Sequence, residues 1–111
     1  MKLEFWYAPV PDLPAALAYY RDTLGWEEAW REGEGTVSMK MPGTEVQLML
    51  DLSTDFVPGP IFFLDRVADF STEHADRLRW RYPPAPIPGG HLGGFEDPAG
   101  NVVYVMDQSE D

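Results

Sequence analysis

The sequence contains no cysteine and only eight basic residues among 111. Nor does any apolar run approach the ~18 residues that a membrane-spanning helix requires. Without cysteine there is no disulfide framework, no thiolate nucleophile and no sulfur ligand for zinc or an iron–sulfur cluster. The eight basic residues face nineteen acidic ones, a formal charge of −11, and such a field repels nucleic acid and anionic lipid. It favours a cationic ligand, although negative charge also simply keeps a small protein soluble. The opening Met1-Lys2-Leu3-Glu4 has none of the basic, apolar and small-residue order of a secretory signal, so the expected location is the cytoplasm.

What is present is a folding composition, 44% hydrophobic and 14% aromatic, in a length suited to one compact domain. Leu3 to Ala8, short and aromatic before Pro9 and Pro11, predicts a strand. Asp12 can cap a helix in which Leu13, Ala16, Leu17, Tyr20 and Leu24 share a stripe, stopped by Gly25. Trp26 to Arg31 and Val37 to Met41 predict two further strands. Pro42-Gly43 then turns the chain into a fourth, Glu45 to Leu50. The first module, about 1–52, is therefore βαβββ.

Ser53, Asp55, Pro58 and Gly59 mark a linker over 53–59. A second module, about 60–108, repeats the order. It has a strand from Ile61 to Leu64, a helix carrying Val67, Phe70, His74 and Leu78 and ending near Trp80, a strand Leu92 to Glu96, and a last strand Val102 to Met106. Between helix and strand, the proline-rich run from Tyr82 to Gly90 is expected as a stiff extended spacer. Met41-Pro42-Gly43-Thr44-Glu45-Val46 matches Asp97-Pro98-Ala99-Gly100-Asn101-Val102, and each run leads to a strand closed by an aspartate, Asp51 or Asp107. Two copies of one α+β motif are the expectation.

Two motifs carry a resemblance to a known family. Tyr19-Tyr20-Arg21-Asp22-Thr23-Leu24-Gly25-Trp26 resembles the first-helix signature of the vicinal oxygen chelate superfamily, and Phe95-Glu96-Asp97-Pro98-Ala99-Gly100-Asn101 is similar to its C-terminal turn. That superfamily includes glyoxalase I, extradiol dioxygenases and bleomycin-resistance proteins. The resemblance implies paired βαβββ modules forming half-barrels, with clefts completed by a homodimer. It also implies metal-ligand positions, which fall here on Phe5, Gln47, Gly59 or Pro60, and Tyr104. A divalent cation needs three or four converging oxygen, nitrogen or sulfur donors, so a metal-free, cofactorless member resembling the bleomycin-resistance branch is expected. His74, among Glu73, Asp76 and Arg77, reads as a solvated helix residue. His91, after Gly89-Gly90, reads as a loop residue or a ligand contact.

By the same resemblance the cleft is lined by Leu3, Phe5 and Tyr7, by Glu45, Gln47 and Met49, by Ile61 and Phe63, and by Val102, Tyr104 and Met106. Trp6, Val46, Leu48, Phe62, Val103 and Val105 pack under the helices. Aromatic and thioether side chains with a few polar groups suit a small organic ligand. Trp26 and Trp30, beside Glu27, Glu28, Glu32 and Glu34, suit a planar cation. The expected role is metal-independent binding, sequestering an aromatic or cationic compound such as an antibiotic, with no nucleic-acid or membrane partner. The rival is a cofactorless isomerase or lyase using Tyr104, His91 or Glu45. A domain that only mediates assembly is the third reading.

Overall fold

The computed structural model describes residues 1–109. The chain folds into two compact units, Glu4–Pro58 and the part from Gly59 on together with Met1–Leu3. The fold is α+β and the βαβββ order occurs twice. Module one is β1 (Lys2–Val10), α1 (Leu13–Leu17), β2 (Glu27–Glu32), β3 (Thr36–Lys40) and β4 (Gln47–Leu52). Module two is β5 (Gly59–Phe63), α2 (Val67–Glu73), β6 (Arg79–Ile87), β7 (Gly90–Glu96) and β8 (Val102–Asp107). In each, the first strand pairs in parallel with the last and the rest pair as antiparallel neighbours, in the orders β2-β3-β4-β1 and β6-β7-β8-β5.

Period-two alternation sorts module one into two faces. Val37 lies opposite Leu50 and Met39 opposite Leu48, and these four are buried against Leu13 and Leu17 of α1. Each such side chain contributes about 1.5–3 kcal/mol by leaving water. Asp12 caps α1 by accepting from the Ala15 N–H at 3.0 Å. After one turn the helix widens into a π-type turn over Ala18–Thr23, where Leu24 N–H reaches the Tyr19 carbonyl at 2.9 Å. The wider turn corrects the expectation of one regular helix. It carries Leu24 off the buried stripe to 44% exposure, while Tyr20 stays against the core. Gly25 then takes the left-handed φ of 76° that ends the segment.

Module two departs further from the sequence reading. Its helix stops at Glu73, and His74 and Arg77 close it with turn bonds. Trp80 therefore lies in a strand rather than a helix. The proline-rich run is also strand, the outermost of its sheet. Its register with β7 shifts between Trp80 and Tyr82 and between Tyr82 and Ala85, so Pro83 and Pro84 fall where no ladder N–H is needed. The second turn motif has a clear cause. Asp97 Oδ1 accepts from the Ala99 and Asn101 N–H groups at 2.9 Å each, and Asp97 Oδ2 accepts from the Asn101 amide at 2.9 Å. Gly100 has a φ of 89°.

Two glycines are fixed by close approach of backbone. A Cβ at Gly59 would collide with the carbonyl oxygen of Val102, and one at Gly90 with the carbonyl of Asp107. Asp107 is 2% exposed. Its Oδ2 accepts from the first amide of α2, Val67 N–H, at 2.7 Å, and its Oδ1 accepts from His91 N–H at 2.9 Å and Ser109 N–H at 3.3 Å, with His91 Nδ1 at 3.1 Å. Burial alone raises the pKa of this carboxyl. The bonds from Val67, the His91 ring, Ser109 and the His91 amide outweigh burial and hold it below the ordinary carboxylate value.

A carboxyl whose folded pKa is depressed adds stability that is present above its unfolded value, near about 3.9, and lost as pH falls through the folded value. Urea denaturation should therefore show wild-type stability declining below about pH 4, and less steeply in Asp107→Asn. Asp107→Ala, which strands buried N–H groups, should cost about 2–4 kcal/mol at pH 7. An unchanged denaturation midpoint would remove Asp107 from this role.

Candidate functional site

The face of module one opposite α1 is set by two registers. Phe5 lies opposite Gln47, Tyr7 opposite Met49 and Pro9 opposite Asp51. Across β3, Met49 lies opposite Ser38 and Asp51 opposite Thr36, and Ser38 in turn lies opposite Trp30 of β2. This face therefore gathers Phe5, Tyr7, Trp30, Gln47 and Met49 of the sequence-predicted set, and adds Thr36, Ser38 and Asp51.

Two polar groupings stand on it. Tyr7, 6% exposed, donates its phenol to Asp51 Oδ2 at 2.5 Å, and Thr36 donates to Asp51 Oδ1 at 2.7 Å. Each carboxylate oxygen thus receives one hydroxyl and keeps a further lone pair. The rings of Tyr7 and Phe56 meet at right angles with centroids 6.2 Å apart, so a residue of the segment after β4 packs beside Tyr7. The second grouping is Ser38, fully buried, donating to Gln47 Oε1 at 2.7 Å. Beside it the rings of Phe5 and Trp30 meet edge to face at 5.8 Å. These ring pairs line the face with apolar walls around a few oriented polar atoms, the chemistry of a small-molecule site.

Module two gathers another part of the predicted set. Ile61 lies opposite Tyr104 and Phe63 opposite Met106, on one face. Tyr104 is 2% exposed and stacks on Tyr82 with ring centroids 5.8 Å apart.

Five predicted placements are corrected. Trp26 is half-buried against Tyr20, 5.2 Å between rings, on the helix side and away from Trp30. His91 lies opposite Asp107 and shares a face with Val105 and Phe95, whereas Tyr104 lies opposite Gly94 on the other face. Glu45 precedes β4, exposed in the turn, and Val46 lies beside it there. Trp6, expected under the helix, is 44% exposed.

The acidic edge is also partly neutralised. Arg31 grips Glu28 through two bonds, at 2.9 and 2.5 Å, and this holds the Glu28 carboxyl below its ordinary pKa. Lys40 lies 3.6 Å from Glu27.

The polar cluster was missed for two reasons. Asp51 is legible as the residue that closes the fourth strand but not as a member of the cleft-facing set, although continued alternation from Gln47 and Met49 points to it. Thr36 and Ser38 are the alternates of the apolar set Val37 and Met39 and could have been found the same way.

The family's metal positions are poor in donors here. Phe5 has none, and the Gln47 carbonyl is taken by Ser38. Gly59 is pressed against Val102, Pro60 has no side-chain donor, and Tyr104 is enclosed by stacking. Among the described residues no three His, Cys, Asp or Glu side chains come together as a metal-holding group. These residues do not fit a divalent cation.

Comparison with known proteins places this geometry in context. The fold is similar to that of an NAD-dependent benzaldehyde dehydrogenase from Legionella pneumophila, with a TM-score of 0.78, 12% identity, and coverage of 95% of this chain and 98% of that one. It is similar to methylmalonyl-CoA epimerase from Mycobacterium tuberculosis, with a TM-score of 0.69, 17% identity, and coverage of 97% and 88%. It also matches part of the Mn(II)-bound glyoxalase from Novosphingobium aromaticivorans, with a TM-score of 0.63, 14% identity, and coverage of 98% of this chain and 38% of that one. At these identities the likeness is one of fold. No curated protein matches the chain. The family model described as Glyoxalase/Bleomycin resistance protein/Dioxygenase superfamily matches residues 6–105, and with both modules and both signature motifs in place the chain belongs to that superfamily.

Proposed function

We propose that the protein is a metal-independent proton-transfer enzyme, an isomerase or lyase acting on a small organic molecule at the face of module one. The observation that carries this is the 2.5 Å bond from Tyr7 to Asp51, with Thr36 holding the other carboxylate oxygen. An oriented carboxylate beside a phenol can take a proton from a C–H next to a carbonyl while the C–H electron pair moves into that carbonyl. The phenol can return a proton to carbon and recover one from Asp51. The net change is an isomerisation in which no atom is gained or lost. Tyr7 is 6% exposed, which limits the access of bulk water to the phenol. The likeness of fold to an epimerase supports this class of chemistry on this scaffold.

Sequestration of an aromatic or cationic compound without turnover is the second reading, favoured by the Phe5–Trp30 ring pair. A homodimer and a cytoplasmic location belong to the same proposal. Among the described residues no helix is long and apolar enough to cross a membrane.

Proton transfer is tested by deuterium uptake from D2O into carbonyl compounds that first raise the melting temperature, followed by NMR. Exchange should exceed the buffer rate, fall by about 10²–10⁴-fold in Asp51→Asn with binding kept, and fall in Tyr7→Phe as well. Bound compounds that exchange no faster than in buffer would leave sequestration standing.

Metal independence predicts no stoichiometric heat with Zn²⁺, Mn²⁺ or Fe²⁺ in calorimetry. One tightly held ion per chain would contradict it. Sedimentation at micromolar concentration should give a dimer, and a stable monomer would count against the shared arrangement.

A further inference from the structure

The proton transfer assigned to Asp51 makes no use of Gln47. The Gln47 amide is nonetheless oriented. Ser38 is fully buried, and its hydroxyl makes no other hydrogen bond among the described residues, so its proton requires the Gln47 carbonyl as acceptor. The other end of the amide, Nε2 with its two N–H donors, meets no acceptor among the described residues. No buried side-chain nitrogen or oxygen there is left without a partner, so Nε2 is open to solvent. Phe5 is Gln47's partner on β1, and its ring meets that of Trp30, Ser38's partner on β2. An apolar wall thus stands beside a fixed pair of donors. Asp51 lies four residues along the same strand on the same face, a backbone separation of about 13 Å at ~3.3 Å per residue.

We propose that Gln47 Nε2 binds a neutral carbonyl oxygen at one end of a flat substrate whose other end, on the order of 10 Å away, meets Asp51 and Tyr7. The inference rests on this face being the substrate site, and it names the substrate class. An amide N–H satisfies a ketone, amide or lactone oxygen but carries no charge to offset the desolvation of a carboxylate or phosphate. Lys40, Gln47's partner on β3, is exposed and lies 3.6 Å from Glu27. Gln47 sits too far along the strand to share the transferred proton, so it acts on binding. Its loss raises KM and leaves kcat in place.

The test is calorimetric titration of the full chain with 6-acetyl-2-naphthol and with 6-ethyl-2-naphthol, which lacks only the carbonyl. The acetyl compound should bind wild type about tenfold more tightly. Gln47→Leu should erase the difference. Should that variant fail to fold, the near-isosteric Gln47→Glu, which replaces the donor by an acceptor, must erase it too. Ser38→Ala, which frees the amide to rotate, should narrow it. Equal affinities in wild type, a preference that survives both Gln47 substitutions, or no binding of either compound would overturn the assignment. A preference lost in the Gln47 variants while Asp51→Asn leaves deuterium exchange at the wild-type rate supports Gln47 and removes Asp51 instead, so the two readings fail separately.

Discussion

The parallel pairing of β1 with β4 decides which side chains of module one can meet. Its register places Phe5 opposite Gln47 and Tyr7 opposite Met49. Because side chains alternate with a period of two, a slip of one residue would exchange the two faces completely. The buried set Val37, Met39, Leu48 and Leu50 under α1 holds that register, since any slip would turn these residues toward water and bring Gln47 and Asp51 into the core. The hydrophobic face and the polar one are therefore consequences of the same constraint.

A one-residue offset separates the two copies of the motif. Sequence similarity aligns Asp51 with Asp107, but in the sheets Gln47 takes the place opposite Phe5 while Tyr104 takes the place opposite Ile61. Asp51 consequently stands on the face away from α1 with Tyr7 and Thr36, and Asp107 turns toward α2 to hold the Val67 amide. One aspartate is available for chemistry, and the other ties α2, β7 and the C-terminal segment to the end of β8. The same parity places His91 with Asp107 and apart from Tyr104.

Much of this was legible in the sequence wherever one period ran without interruption. Leu13 and Leu17 mark the start of α1, and the alternation of Phe5 with Tyr7 and of Gln47 with Met49 places these four on one face. Legibility failed where backbone geometry left no trace in composition. The π-type turn keeps an amphipathic pattern while displacing Leu24, and Leu78 continues the spacing of α2 although the helix has already ended. The proline-rich run reads as an extended spacer because proline argues against a central strand, yet it forms an edge strand. Proline removes only the ladder donor, and β6 meets that condition by shifting register around Pro83 and Pro84.

The position of β6 has a consequence for how this protein behaves when crowded. An outer strand normally offers a row of unused amides and carbonyls to any extended chain that passes, which is how sheets grow across molecular boundaries. Prolines at 83, 84 and 86 delete three donors from a nine-residue strand, and the shifts in register interrupt what remains. A second chain cannot zip onto this border, so cross-molecule sheet growth must start elsewhere. The composition that disguised the strand is also what keeps it from becoming a template.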